Sequence, residues 1–265
     1  MATGPREIAL LRLVAQRVVG APAASPAGAV GHLLALQAQD LPGALTSIAL
    51  RTAGRSRDEV RAAFDRGDVV RSWPMRGTLH AVPARDLGWM LDLMTARPLA
   101  AAARRRQQLG LDDADLRTAR DLVVAALRAE DLSREQLLDR LRAGGLPTTE
   151  GRGYHLLVHL AMTGVVCLGP FGGTEQLFVL LDRWVPEPRS LDREQALAEL
   201  NLRYLRGHGP ATVADLARWS GLPLGEVRRG LAAVTDRLDT LVVDGTTYHL
   251  DPGTPDLLAE HRAAA

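Results

Sequence analysis

Two glutamines, Gln37 and Gln39, stand two residues apart in the stretch Leu33-Leu34-Ala35-Leu36-Gln37-Ala38-Gln39-Asp40-Leu41-Pro42-Gly43. Paired amide carbonyls can accept hydrogen bonds from one water molecule and present their negative dipole ends to an electron-poor centre beside it. Glutamines at a helix end can equally be solvated, and alone the pair would mean little. About thirty residues later comes VVRSWPMRGTLHAV (Val69–Val82), which reads as strand, turn and strand and carries Arg71, Arg76 and His80. The two arginines could neutralise phosphates, a salt-dependent interaction, or pair with Asp65, Asp68 or Asp86. His80 is open between a nucleic-acid contact and a packed histidine at a strand end. Trp73 beside Pro74 reads as an anchor of the hairpin in the core.

The backbone must cooperate for the glutamines to act together. In a continuous helix residues i and i+2 do not face the same way. The chain is therefore expected to loosen at Gln37–Gln39, and Pro42-Gly43 makes an unwound helix end plausible there. Asp40 could serve as a base, but capping or solvation is the favoured reading.

Composition bounds what this chemistry can be. At 265 residues the chain can hold one large core or two to three small ones. No apolar run approaches the roughly 18 residues of a membrane span, and the N-terminus lacks the apolar core of a secretory signal, so a cytoplasmic protein is expected. The single cysteine, Cys167, excludes an intramolecular disulfide or a Cys-rich zinc site and reads as a small buried hydrophobe. Residues 1–106 hold 15 arginines against 8 acids, whereas residues 107–265 hold 17 against 23. That asymmetry points the N-terminal part toward a polyanion. All 32 basic residues are arginine, in keeping with a bias toward Ala, Arg, Leu and Gly. Without lysine no side-chain amine can form a Schiff base.

Along the chain the elements repeat a plan. Residues 7–19 and 26–39 read as helices, the second running into the glutamines, and 45–51 as a short one. Ser56 with Glu59 is a capping-box signature for a helix through Phe64; the Val69–Val82 hairpin follows, and Pro83 opens a helix to Met94. Residues 99–106 are Ala-rich and end in three arginines, which could lie along a phosphate backbone but read first as a solvated helix face. Next come helices over 116–128, 134–141 (capped by Ser133 with Gln136) and 154–162, and a hairpin over 165–181 with Gly-Pro-Phe-Gly-Gly at its tip. His155 and His159 share a helix face but lack the further ligand a metal would need, so no metal site is expected. Then come a helix over 197–206, a Thr212-capped helix to Ser220, a helix over 225–234 and a hairpin turning at Asp244-Gly245 with type I′ geometry. This predicts an α+β fold, mainly α, of three tandem winged-helix units at 1–98, 112–188 and 191–262. Arg228 and Arg229 lie beside Glu226, so the third unit reads as scaffold more than as a major-groove reader.

Taken together, LLALQAQD, the RSWPMRGTLH hairpin and the tandem winged helices resemble the AlkZ-like family of bacterial DNA glycosylases, over essentially the whole chain. In that family a Gln–apolar–Gln motif, or Gln–apolar–Asp in a sister branch, marks the catalytic centre; here it corresponds to Gln37-Ala38-Gln39. The resemblance implies three winged helices around a concave, positively charged DNA surface. It also implies excision of N7-alkylguanines and, in some members, unhooking of interstrand crosslinks made by DNA-alkylating natural products. Family members usually continue into a further barrel-like segment beyond the point matching Ala265.

The expectation is thus a monofunctional DNA glycosylase without lyase activity or cofactor. Gln37 and Gln39 would be catalytic, and Arg71, Arg76 and His80 would contact DNA. Its partner would be double-stranded DNA carrying alkylated guanine, with no membrane, and the protein would be a monomer. The competing readings are a non-catalytic winged-helix DNA-binding protein or transcriptional regulator, which would prefer a duplex sequence and need no glutamines, and a protein-interaction scaffold.

Overall fold

Helix starts in the computed structural model, which describes residues 4–264, follow the capping residues. After α1 (Pro5–Ala15), Ser25 caps α2 (Pro26–Leu33) by accepting from the Gly28 N–H at 3.0 Å. A two-residue strand, β1 (Leu36–Gln37), precedes α3 (Leu41–Ala49), and Ser56 caps α4 (Arg57–Asp65). Strands β2 (Val69–Met75) and β3 (Thr78–Pro83) form a hairpin that leads to α5 (Leu87–Met94) and α6 (Ala96–Gln108). Reciprocal capping boxes open α7 (Asp113–Ala129) and α8 (Arg134–Ala143), the latter through Ser133 and Gln136. Helix α9 (Arg152–Met162), strands β4 (Val166–Gly172) and β5 (Glu175–Leu180), and a short α10 (Leu181–Trp184) follow. The last third runs α11 (Arg193–His208), α12 (Val213–Ser220), α13 (Leu224–Ala232), β6 (Asp239–Val243), β7 (Thr246–Leu250) and α14 (Thr254–Ala264). The fold is α+β and mainly α, with a helices-then-hairpin order that recurs three times.

Strand pairing joins what the element order separates. The first two hairpins, with β1, build one five-stranded sheet in the order β1-β3-β2-β4-β5, the link being Arg71 on β2 opposite Leu168 on β4. Only β6 and β7 remain a separate pair. By packing, the chain groups into two units. One holds the residues up to Leu36, Asp40–Val60 and Leu191 onward; the other holds Gln37–Gln39 and Arg61–Ser190. These packing units are drawn differently from the winged-helix units expected at 1–98, 112–188 and 191–262, and the first two hairpins share one sheet. The charge asymmetry is redistributed too: the unit containing Gln37–Gln39 carries 18 arginines against 16 acids.

That unit has a continuous core. Leu127, Leu137 and Leu141 from α7 and α8, with Leu156 and Leu160 from α9, pack with Trp73, Leu79, Leu168 and Phe178 of the sheet. Each such burial contributes about 1.5–3 kcal/mol. Trp73 is a core anchor, as expected, and Cys167 is fully buried. The second hairpin turns at Gly173-Thr174, a little beyond the expected Gly-Pro-Phe-Gly-Gly tip. Its pairing skips between Leu168 and Phe171, and Phe171 stacks edge-on against Phe64 at 6.0 Å beneath the Arg61 guanidinium, 3.9 Å from the ring centroid. The turns Arg76-Gly77 and Asp244-Gly245 have φ of +53° and +71°, and +50° and +73°, the signature of type I′ hairpin loops.

In the other unit, α11 packs against α2, α13 and α1, and Leu11 and Val14 of α1 meet Leu258 of α14. Gly207 allows α11 to cross close to the end of α2. A Cβ there would stand 2.5 Å from the His32 carbonyl oxygen and 3.3 Å from the Leu33 Cα, both backbone atoms. Gly207→Ala should therefore cost about 1–3 kcal/mol, as overpacking does, read as a lower midpoint in chemical denaturation. A wild-type midpoint would show that α2 can yield without cost.

Candidate active site

Leu34 ends α2 before the glutamines. It takes φ +67° and ψ −48°, a γ-turn closed by the Ala35 N–H donating to the Leu33 carbonyl at 2.8 Å, a strained conformation for a residue bearing a side chain that costs about 1–3 kcal/mol, and its side chain is fully buried. The helix expected over 26–39 thus stops at Leu33. The chain then runs extended along the outer edge of β3. In extended backbone, residues i and i+2 share a face, and the burial follows: Gln37 and Gln39 are exposed while Ala38 between them is fully buried. The local geometry that a helix would have denied is supplied by a strand edge.

Strand β3 holds this segment through a backbone and a side-chain group. The Ala38 N–H donates to the Leu79 carbonyl at 2.8 Å, and the Leu79 N–H donates in turn to the Gln39 side-chain Oε1 at 3.2 Å. The N–H donor fixes the amide's orientation: the oxygen of Gln39 must face the strand. That oxygen keeps a second lone pair for another donor. The Gln37 amide has no intramolecular partner among the described residues. Asp40 is the N-cap of α3, with its Oδ2 accepting from the Gly43 N–H at 3.2 Å, so the capping reading is the one its geometry matches.

Arg71 reaches this segment. Its Nε donates to the Ala38 carbonyl at 2.8 Å, Nη2 to the Gln39 carbonyl at 3.4 Å, and Nη1 to the Gln176 Oε1 at 3.3 Å. The acids weighed as its partners have other contacts: Asp65 accepts from the Phe171 N–H at 2.8 Å, Asp68 pairs with Arg66 at 2.8 Å, and Asp86 pairs with Arg189 at 2.8 Å. Arg76 is different. It occupies the exposed tip of the hairpin at φ +53° and makes no ion pair or hydrogen bond among the described residues.

His80 is 1% exposed, which removes it from any direct DNA contact in this conformation. Its Nδ1–H donates to the Thr78 carbonyl at 2.9 Å, which assigns the tautomer and leaves Nε2 as a buried acceptor without a partner. Burial pushes its pKa down to about 4; the Thr78 carbonyl opposes the shift and the Arg76 charge adds to it. His80 is a neutral packed residue at neutral pH.

Sequence reasoning passed over Gln176. It lies on β5, two residues before Phe178 and four before Leu180, within a buried apolar stripe, and is itself 4% exposed. A polar residue in register with such a stripe is the signal that could have marked it. Its Nε2 donates to the Gly169 carbonyl at 3.0 Å.

The mainly helical α+β fold of this chain is that of a class of DNA repair enzyme. A model of the AlkZ-like DNA glycosylases matches residues 30–265. The chain therefore belongs to the AlkZ-like DNA glycosylase family, whose members hydrolyse N-glycosyl bonds in DNA. It is 28% identical over 286 aligned positions to the interstrand DNA cross-link repair glycosylase of Streptomyces sahachiroi, covering 91% of this chain and 76% of that protein. The solved structure of Streptomyces sahachiroi DNA glycosylase AlkZ shares the fold, with a TM-score of 0.78 at 24% identity, covering 98% of this chain and 73% of that one. Family membership disfavours the non-catalytic regulator. No helix among the described residues is long and apolar enough to cross a membrane.

The two roles weighed for Asp40 separate experimentally. Asparagine caps a helix about as well as aspartate, whereas alanine costs about 0.5–2 kcal/mol. Asp40→Asn should keep both the stability and the base-release rate, and Asp40→Ala should lose stability alone. A large rate loss in Asp40→Asn would make the carboxylate a catalytic base.

His80 adds a pH dependence to folding. In the unfolded chain it titrates near the ordinary value of about 6.5. Between that value and about 4 the unfolded state binds the extra proton, so this contribution is full above pH 6.5 and is lost as pH falls toward 4. His208, in the other unit, is likewise pushed down to about 4 by burial and acts in the same sense. Unfolding free energy measured against pH should fall across that window, and His80→Asn should flatten part of the slope. An unchanged slope would show that His80 keeps its ordinary pKa.

Proposed function

We propose that this glycosylase is monofunctional and excises N7-alkylated purines from duplex DNA, with Gln37 and Gln39 holding the attacking water. The observation that carries this reading is the extended segment in which Gln37 and Gln39 are exposed residues flanking a fully buried Ala38, with the Gln39 oxygen anchored on the Leu79 N–H and the Gln37 amide without a partner among the described residues. An N7-alkylguanine is cationic, so the electrons of the breaking C1′–N9 bond neutralise it and the base leaves without strong general-acid help. What remains is to place a water at C1′ and to stabilise the oxocarbenium that develops there. Amide carbonyls can accept the water's hydrogen bonds and turn their negative ends to the sugar, and the water's proton passes to solvent once the C1′–O bond has formed. The curated relative's named action on interstrand crosslinks extends the substrate class to bulky adducts bridging two strands.

The product should be an intact abasic site. With no lysine in the chain, a Schiff base on a side-chain amine is excluded. Arg76, at the hairpin tip and without a partner among the described residues, is the phosphate contact of choice. Arg76→Ala should weaken duplex binding and reduce its salt slope by about one. Unchanged affinity and slope would remove it from the DNA surface.

The glutamines are tested by single-turnover base release from N7-methylguanine duplex. An oriented hydrogen bond to a transition state is worth about 2.7–4 kcal/mol, or ~100- to 1,000-fold in rate, and a readily leaving cationic base puts the expectation at the lower end. Gln37→Ala and Gln39→Ala should slow release by that order with little change in DNA affinity. The double variant should fall well short of the product of the singles, as for groups acting on one water. Wild-type rates in folded single variants would exclude the pair.

A further inference from the structure

We propose that Arg71 and Gln176 are positioning residues of the glycosylase reaction, one from each of the first two hairpins, forming a clamp that sets the direction of the two catalytic amides. The inference rests on Gln37 and Gln39 orienting the water and assigns residues that neither side chain touches through its own amide.

Consecutive carbonyls determine where a side chain points. The Ala38 and Gln39 carbonyls flank the Gln39 Cα, and Arg71 donates to both, at 2.8 and 3.4 Å. With both oxygens held, the backbone dihedrals of Gln39 cannot drift, so neither can its Cα–Cβ direction. The preceding peptide is held independently by the Ala38 N–H on the Leu79 carbonyl at 2.8 Å. Gln37 is thereby fixed from its C-terminal side.

The guanidinium is aimed in turn by Gln176. The Gln176 Oε1 accepts from Nη1 at 3.3 Å, while its Nε2 is committed to the Gly169 carbonyl at 3.0 Å. Because Nε2 has a backbone acceptor, the amide cannot flip without losing both bonds, so its oxygen faces Arg71. At 4% exposure Gln176 is inaccessible to a duplex, and any effect it has on catalysis must pass through Arg71. A guanidinium suits this task because its N–H donors lie in one rigid plane and address several acceptors at once; an ammonium is a compact point charge. Ala81, opposite Arg71 on β3, has a side chain of one carbon, so the strand between Arg71 and the glutamine segment offers little obstruction.

The test separates a clamp from a phosphate contact. Single-turnover release and duplex affinity are measured on N7-methylguanine DNA for Arg71→Ala, Arg71→Lys, Gln176→Ala and the Arg71→Ala/Gln176→Ala double variant. Displacements of about 1 Å in a catalytic group cost up to ~100-fold. The clamp predicts a release rate lower by about that factor in Arg71→Ala, by less in Gln176→Ala, and no further loss in the double variant. Duplex affinity and salt slope stay at wild-type values. Added methylguanidinium should restore part of the rate in Arg71→Ala and none in Gln37→Ala, which a merely structural role would not produce. Should Arg71→Ala fail to fold, Arg71→Lys and Gln176→Ala carry the decision. A wild-type release rate in Gln176→Ala overturns the clamp, as does an Arg71 variant that binds more weakly with a lower salt slope yet releases base normally at saturation. Wild-type rates in Gln37→Ala and Gln39→Ala would instead remove the reading on which the clamp rests, and a full loss there with none at Arg71 and Gln176 removes the clamp alone.

Discussion

The outer edge of β3 has backbone groups that must find partners, and the site follows from how they find them. An unpaired N–H and C=O in a half-buried strand cost free energy comparable to a lost hydrogen bond. Here the Leu79 carbonyl takes the Ala38 N–H and the Leu79 N–H takes the Gln39 side-chain oxygen. The amide thus replaces the carbonyl of a neighbouring strand, closing an edge that β1, two residues long, is too short to cover. One residue of the glutamine pair is a structural member of the sheet, and the other is left to solvent.

The sheet also explains why residues far apart in sequence share the site. Pairing of Arg71 with Leu168 brings β4 and β5 alongside the first hairpin, and only then does Gln176 meet a residue 105 positions earlier. The site requires non-local strand pairing, whereas the helices rest on local contacts and on caps encoded within four residues. The cost of ordering Leu34 at φ +67° has to be offset by packing of its fully buried side chain.

How much of this was legible depends on how local each signal is. Ser56, Ser133 and Thr212 announced their helices because a cap and its N–H partner lie three residues apart, and Asp244-Gly245 announced its turn because positive φ has a residue preference. The end of α2 has no such mark: a leucine at positive φ in a γ-turn is chosen by burial, and Leu33-Leu34-Ala35-Leu36 continues the apolar run without a break. Fusion of the two hairpins was hidden for the same reason, since nothing in Arg71 or Leu168 names the other. The segment to be arranged for chemistry is visible at Gln37 and Gln39, but the charge of Arg71 points to phosphates or carboxylates as its partners. Two of its partners are instead backbone carbonyls, which every residue owns and no sequence displays. The charge imbalance between residues 1–106 and 107–265 was real, yet the chain does not fold as those halves.

The burial of Ala38 between two exposed glutamines makes this motif a matter of parity. A strand alternates faces at every residue, so inserting or deleting a single residue between Leu34 and Gln37 would turn both amides inward and send the methyl group out. Loops elsewhere on the chain can change length at small cost. This short span cannot, and its length is therefore as much a part of the chemistry as the identity of its side chains.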